Sequence, residues 1–364
     1  MGRASDTCPV RPVKPLAGGS ARALASGVPE TAPTIRSERD HARKVYRAML
    51  EARQLEAKLA SLYKAGKIVG GVYLGKGQEA VSASLGGCLE WGRDIFAPLI
   101  RDQGGRSAFG EPMLDATRTY LGSAEGPMRG RDGNIHRGRP KQGLPAMISH
   151  LGTEVSVVAG MLLARRLRGE LEGVVGATSI GDGGTSTGSF HEGLNAAAVE
   201  RLPLVVVVAD NQFAYSTPTE RQFACASLLD RAAGYGVEGH EVDGTDFLAC
   251  LRTMAEAVDR ARQGGGTQMV VARLLRLSGH GEHDDASYVP DEVRAGRFGR
   301  DCMDVAERQM IESGYADQSE IDGWRSEIVD EVQQAVATAT REHGPNPWDE
   351  RWEARSTNLL TVVD

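Results

Sequence analysis

The chain has 364 residues and a formal net charge of −7, with 41% hydrophobic and 25% charged residues, a composition that excludes disorder, collagen and coiled coil as its main class. The negative charge argues against a protein that coats nucleic acid, and the longest apolar run, Leu204 to Ala209, is too short for a membrane helix. The 45 glycines therefore belong to folded loops, while five dispersed cysteines without a Cys-x-x-Cys pair indicate neither a disulfide framework nor a zinc site and fit a reducing compartment.

Residues 1–36 are rich in Ala, Pro, Gly and Ser and carry more basic than acidic residues. They read as a loose tail without a secretory core; the location implied is cytoplasmic, or the mitochondrial matrix if this tail is a presequence. A domain is expected over 37–345, followed by a C-terminal tail over 346–364. From Ser37 the residues Ala42, Val45, Tyr46, Met49, Leu50, Leu55, Leu59 and Leu62 form one helical face that ends at Gly66. A second helix is predicted from Gln78 to Leu89. Segments 101–110 and 121–153 lack periodicity and read as long loops over a scaffold.

The centre alternates: a helix over Glu154 to Leu167, a buried strand over Gly173 to Ile180, a helix over Thr185 to Glu200 and a strand over Leu204 to Ala209. A helix near 246–263 precedes a strand from Gln268 to Leu275, and two helices fill 291–342. Continuous β-branched strands alternating with helices predict an α/β fold, a doubly wound and mostly parallel sheet with helical extensions at both ends.

Ligands of such sheets bind at the carboxyl ends of the strands. There the chain places Gly181-Asp182-Gly183-Gly184 and Asp210-Asn211-Gln212-Phe213. Glycines at 183 and 184 let backbone approach a phosphate at a helix start. Asp182 and Asn211 offer the oxygen donors that Mg²⁺ takes. Singly, each signal is ordinary turn chemistry; their pairing at the ends of successive strands is more demanding.

The stretch GDGGTSTGSFHEGLNAAAVERLPLVVVVADNQFAYSTP, Gly181 to Pro218, resembles the thiamine-diphosphate motif of the alpha subunits of 2-oxo acid dehydrogenase first components, the pyruvate, branched-chain and acetoin dehydrogenase group. LYKAGKIVGG, GQEA, RDGNIHRG, ISHLGTEV and RLSGHGEHDD extend the resemblance over residues 40–300 in family order. It implies that Asp182, the Asn211 side chain and the main-chain oxygen of Phe213 hold Mg²⁺. Gly183 and Gly184 would contact the diphosphate, with Arg101 and His280 reaching it from loops. Ser149 and Leu151 would line the cofactor, Tyr215 would support its bent form, and His136 would stand near the substrate entrance. His280 and His136 are the catalytic candidates. The resemblance also implies a beta subunit that supplies the pyrimidine-binding domain in an α₂β₂ assembly, and a lipoyl-bearing acyltransferase as acceptor.

The activity implied is oxidative decarboxylation of a 2-oxo acid with acyl transfer to lipoamide. Cleavage of acetoin, or a non-catalytic scaffold of the same fold, are the alternatives. An unrelated Mg²⁺-nucleotide enzyme is disfavoured because no G-x-x-x-x-G-K-[ST] loop occurs. Three departures stand out: Ile100 replaces a tyrosine before Arg101, Gly281 replaces the phosphorylatable serine of regulated members, and Val289 replaces an arginine that closes the histidine loop. The last two predict a loop over 278–290 that is loose without cofactor and is not controlled by phosphorylation.

Overall fold

The computed structural model describes residues 38–132 and 135–349, which fall in one compact unit. The tail expected over 1–36 lies outside the described residues, as does 350–364 of the expected C-terminal tail. In chain order the elements are α1 (Glu38–Lys64), α2 (Glu79–Gly87), β1 (Ile95–Ala97), α3 (Gln103–Phe109), α4 (Met113–Tyr120), α5 (Thr153–Leu167), β2 (Gly176–Gly181), α6 (Gly188–Val199), β3 (Leu204–Asp210), β4 (Phe213–Ala214) and β5 (Thr217–Pro218). They continue with α7 (Leu229–Gly234), β6 (Glu238–Asp243), α8 (Phe247–Arg260), β7 (Gln268–Arg273), α9 (Asp291–Arg294), α10 (Cys302–Glu312) and α11 (Gln318–Arg341). No helix among the described residues is long and apolar enough to cross a membrane.

Five strands form one parallel sheet in the order β1-β2-β3-β7-β6. Alternate residues of each strand point to opposite faces. Val175, Ala177, Val205, Val207, Val270 and Ala272 pack in one core with α1, α2, α8, α10 and α11. Val174, Leu204, Val206, Val208, Met269 and Val271 pack in the other with α5 and α6. Burying each such valine contributes roughly 1.5–3 kcal/mol, and a sheet covered on both faces explains why these strands read as continuous apolar runs. The long helices are fixed at their starts: Asp246 accepts the Ala249 N–H ahead of α8, and Asp317 with Glu320 forms a capping box on α11.

Several features differ from expectation: the C-terminal part holds three helices, α9, α10 and α11, where two were expected, and α4, α7 and the β4–β5 hairpin are additional elements. Segment 101–110, expected as a loop, contains α3; its glycines serve helix packing, since a Cβ on Gly86 would stand 2.1 Å from the Gly105 carbonyl oxygen and one on Gly105 2.8 Å from that of Ser82. The edge strands β1 and β6 were not anticipated. β1 has three residues, and the sequence EGHEVD of β6 is half polar because one side of an edge strand faces solvent. Finally, no α-helix begins at Gly183. A 3-10 turn spans Gly183–Ser186, Thr187 is extended, and α6 starts at Gly188 with Thr187 as its cap.

Candidate active site

Gly181 of β2 pairs in register with Ala209 of β3, so the residues leaving these strands, Asp182 and Asn211, emerge side by side at their carboxyl ends. A cavity of about 370 Å³ opens there. Its lining includes Arg101, Leu151, Asp182, Gly183, Gly184, Asn211, Phe213, Tyr215 and His280, nine of the eleven residues expected at the site. Segments far apart in sequence converge because β1, β2, β3 and β7 all run the same way and release their loops on one side.

Asp182 is buried, and burial pushes its carboxyl up to about 6. Its Oδ1 accepts the Gly183 N–H at 2.9 Å and its Oδ2 accepts the Gln222 Nε2–H at 3.3 Å. Asn211 is buried too; its Nδ2 donates at 3.5 Å to Gln78 Oε1, and its Oδ1 has no partner. An unpaired buried amide oxygen costs about 1–3 kcal/mol, and beside a buried carboxylate it forms an oxygen donor pair suited to a hard cation. The turn after Asn211 is strained: Gln212 and Tyr215 have φ of 74° and 55°.

The main-chain oxygen of Phe213 is already engaged. Arg276 Nη1 donates to it at 3.0 Å and Nη2 donates to the Tyr215 carbonyl at 2.9 Å. A carbonyl has a second lone pair, so this oxygen keeps one coordination direction.

Arg101 is buried in the cavity lining. Burial draws its guanidinium down to about 10, with the Arg276 charge second. It donates to the Leu74 carbonyl at 2.9 Å and the His280 carbonyl at 2.6 Å. His280 lies at 4.6 Å from the Tyr215 ring and 5.5 Å from that of Tyr73, centroid to centroid. Burial first, then Arg101 and Arg276, hold its imidazole down to about 4. These causes favour the neutral imidazole at pH 7.

The loop over 278–290 is tied at several points, the first of them through Arg276. Arg276 also donates to Tyr288 Oη at 2.5 Å, the Tyr288 hydroxyl donates to Asp284 at 2.7 Å, and Asp284 accepts the His280 N–H at 2.6 Å. Val289, the departure noted in the sequence, is buried with Phe213, Leu275 and Ala286.

His136 and Ser149 lie outside the cavity lining and pair with each other. His136 Nδ1 lies 2.9 Å from the Asp132 carboxylate, and its Nε2 meets the Ser149 hydroxyl; a carboxylate only accepts, so Nδ1 carries the proton of that contact. Sequence reasoning missed four residues at this end of the sheet: Gln78, Asp102 and Ser179 in the lining, and Gln222 behind Asp182. Asp102 accepts the Leu99 N–H at 2.7 Å and the Ser179 hydroxyl, fastening the Arg101 segment to β2. Among the described residues, the group Glu79, Asp301 and Cys302 has metal-ligand spacing, but Arg53 already pairs with both carboxylates.

Fold and site together define a doubly wound α/β protein whose strand ends present a cation-suited oxygen pair beside an anion-suited arginine. Residues 46–348 match the family model described as dehydrogenase E1 component, and the chain belongs to that family. It is 33% identical to the alpha subunit of acetoin:2,6-dichlorophenolindophenol oxidoreductase of Cupriavidus necator over 309 residues, covering 84% of this chain and 91% of that one. It is 32% identical over 306 residues to the 2-oxoisovalerate dehydrogenase alpha subunit of Bacillus subtilis, with coverage of 84% and 91%. With the pyruvate dehydrogenase E1 alpha subunit of Rhizobium meliloti it shares 30% identity over 304 residues, 83% of this chain and 86% of the other.

Proposed function

We propose that this chain is the alpha subunit of a thiamine-diphosphate-dependent dehydrogenase that decarboxylates a 2-oxo acid and passes the acyl group to a lipoyl group of a partner acyltransferase. The observation that carries the reading is the placement of Asp182 and Asn211 at the ends of adjacent strands, with Asn211 Oδ1 buried and unpartnered. These residues fit Mg²⁺ and a diphosphate. Asp182, Asn211 Oδ1 and the Phe213 carbonyl would hold the metal, and Gly183 and Gly184, whose lack of a side chain lets the main chain approach closely, would contact the phosphates together with Arg101 and His280. Thiamine diphosphate, when bound, supplies a nucleophilic carbon and an electron sink for loss of carbon dioxide.

The chain's own residues then have definite tasks. Arg101 offsets phosphate charge while anchoring the His280 loop, and the neutral His280 donates a hydrogen bond. Leu99, Ile100, Leu151 and Phe213 keep the cavity largely apolar, which strengthens each polar contact made inside it. Tyr215, half exposed at the cavity, is the support for the cofactor's bent form. The pyrimidine-binding half belongs to a beta subunit in an α₂β₂ assembly. The cysteines Cys88, Cys225, Cys250 and Cys302 are free thiols, as a reducing cytoplasm allows. Acetoin is the second reading of the substrate, favoured by the likeness to the Cupriavidus necator chain.

The test is co-purification with the beta subunit and reduction of an artificial electron acceptor by a panel of 2-oxo acids and acetoin, with Mg²⁺ and thiamine diphosphate. Turnover with one class assigns the substrate. Asp182→Ala and Asn211→Ala should each abolish metal-dependent cofactor binding, and near wild-type affinity in both would sink the site assignment.

A further inference from the structure

We propose that Gln222 is a positioning residue that sets the Asp182 carboxylate for the metal; the inference rests on the reading of the site given above. Gln222 follows the short 3-10 turn Thr219–Arg221 beyond β5 and does not line the cavity. Its side chain reaches Asp182 from behind. One Nε2–H donates to Asp182 Oδ2 at 3.3 Å and the other to the Thr217 carbonyl of β5 at 2.8 Å. Its own carbonyl accepts the Ser186 hydroxyl at 3.0 Å, fixing the main chain on the turn that follows Asp182.

The orientation of the amide is imposed by chemistry. Both neighbours, a carboxylate and a carbonyl, are acceptors only, so the amide must turn its NH₂ towards them. The consequence is visible: Gln222 Oε1 is buried and has no partner. It lies 3.4 Å from where a Gly183 Cβ would stand. With Gly183 N–H on Oδ1 and Gln222 on Oδ2, both carboxylate oxygens are held from the protein side and each keeps a lone pair. Outer partners of this kind fix a ligand's direction and are typically worth about 10- to 100-fold in metal affinity. Gln222 thereby links the β4–β5 hairpin, which carries the Phe213 carbonyl, to the carboxylate of β2, so two of the three expected metal ligands share one brace.

The experiment uses the chain purified with its beta subunit. Mn²⁺ is titrated calorimetrically in the presence of thiamine diphosphate, and the Mg²⁺ concentration for half-maximal turnover is measured in parallel. Gln222→Met keeps the length of the side chain and removes the donor. It should weaken Mn²⁺ binding about 10- to 100-fold and raise the half-maximal Mg²⁺ concentration by the same factor, with the rate recovered at saturating Mg²⁺. Gln222→Glu sets a second carboxylate against Asp182 and should weaken binding at least as much. Asp182→Ala separates the two claims: unaltered Mn²⁺ binding in that variant removes the reading of the site. Loss of binding there, with wild-type affinity in both Gln222 variants, overturns the role of Gln222 alone. A lower melting temperature in Gln222→Met, with a reduced rate that excess Mg²⁺ does not restore, marks a structural role and also overturns it.

Discussion

The Arg101 guanidinium holds the main chain of His280 at 2.6 Å and stands 3.4 Å from Nδ1 of the same residue. One cation thus anchors the loop and suppresses the charge of its imidazole, second only to burial among the causes. In Arg101→Gln the His280 imidazole should titrate higher than in the wild type, closer to the ordinary histidine range, in an NMR titration of its ring protons. An unmoved titration would detach the arginine from the histidine. The same variant should lose about 1.5–3 kcal/mol of cofactor binding, the scale of hydrogen bonds to charged groups.

Asn211 buries an unpaired polar atom. Its Oδ1 is buried without a partner, and the donor contact of its Nδ2, to Gln78, is long at 3.5 Å. Asn211→Leu replaces the unpaired amide with an apolar side chain of similar size and should stabilise the cofactor-free chain by about 1 kcal/mol, a rise in Tm of about 2 °C on the scale of larger domains. Metal-dependent cofactor binding should vanish in the same protein. Calorimetric melting with and without Mg²⁺ and thiamine diphosphate checks both, and a lower Tm would show that the site is satisfied without a ligand.

Glu56 carries a pH dependence. Both of its oxygens accept the Gly75 N–H at 2.9 Å, next to the Leu74 carbonyl that binds Arg101, and burial followed by the nearby Glu79 pushes its carboxyl from 4.5 up to about 8. Between those values the folded chain keeps a proton that the unfolded chain has released, so this group's contribution to stability is full below about pH 4.5 and is lost as pH rises to about 8. Glu56→Gln removes the titration. The melting temperature of the variant minus that of the wild type should grow from pH 5 to pH 8 and level off above it.

How much of this was legible in the sequence depends on where each signal comes from. The strand Leu204–Asp210 and the residues Asp182 and Asn211 are readable because a buried parallel strand needs an unbroken apolar run and its end then exposes whatever follows. α3 was hidden because its glycines, demanded by contact with α2, imitate a loop. β6 was hidden by the polarity of an edge. Gln222 gives no local signal: it sits 40 residues from the carboxylate it touches, and only the packing of the hairpin on β2 brings them together.

The glycines around Asp182 separate packing from binding. A Cβ on Gly183 would stand 2.4 Å from the Ala214 Cβ, closer than two carbons pack, so Gly183→Ala must push the β4–β5 hairpin away. Overpacking of this kind costs about 1–3 kcal/mol. A Cβ on Gly181 would meet nothing within 4 Å, although Gly181 lines the cavity. Gly181→Ala should therefore keep the wild-type Tm within about 1 °C, since substitutions that touch nothing stay within about 0.5 kcal/mol, while its methyl group enters the space assigned to the diphosphate. Thermal melting and cofactor titration on the two variants should give opposite profiles: Gly183→Ala melts lower, whereas Gly181→Ala melts as wild type and binds thiamine diphosphate more weakly. Wild-type binding in Gly181→Ala would move the cofactor away from the end of β2.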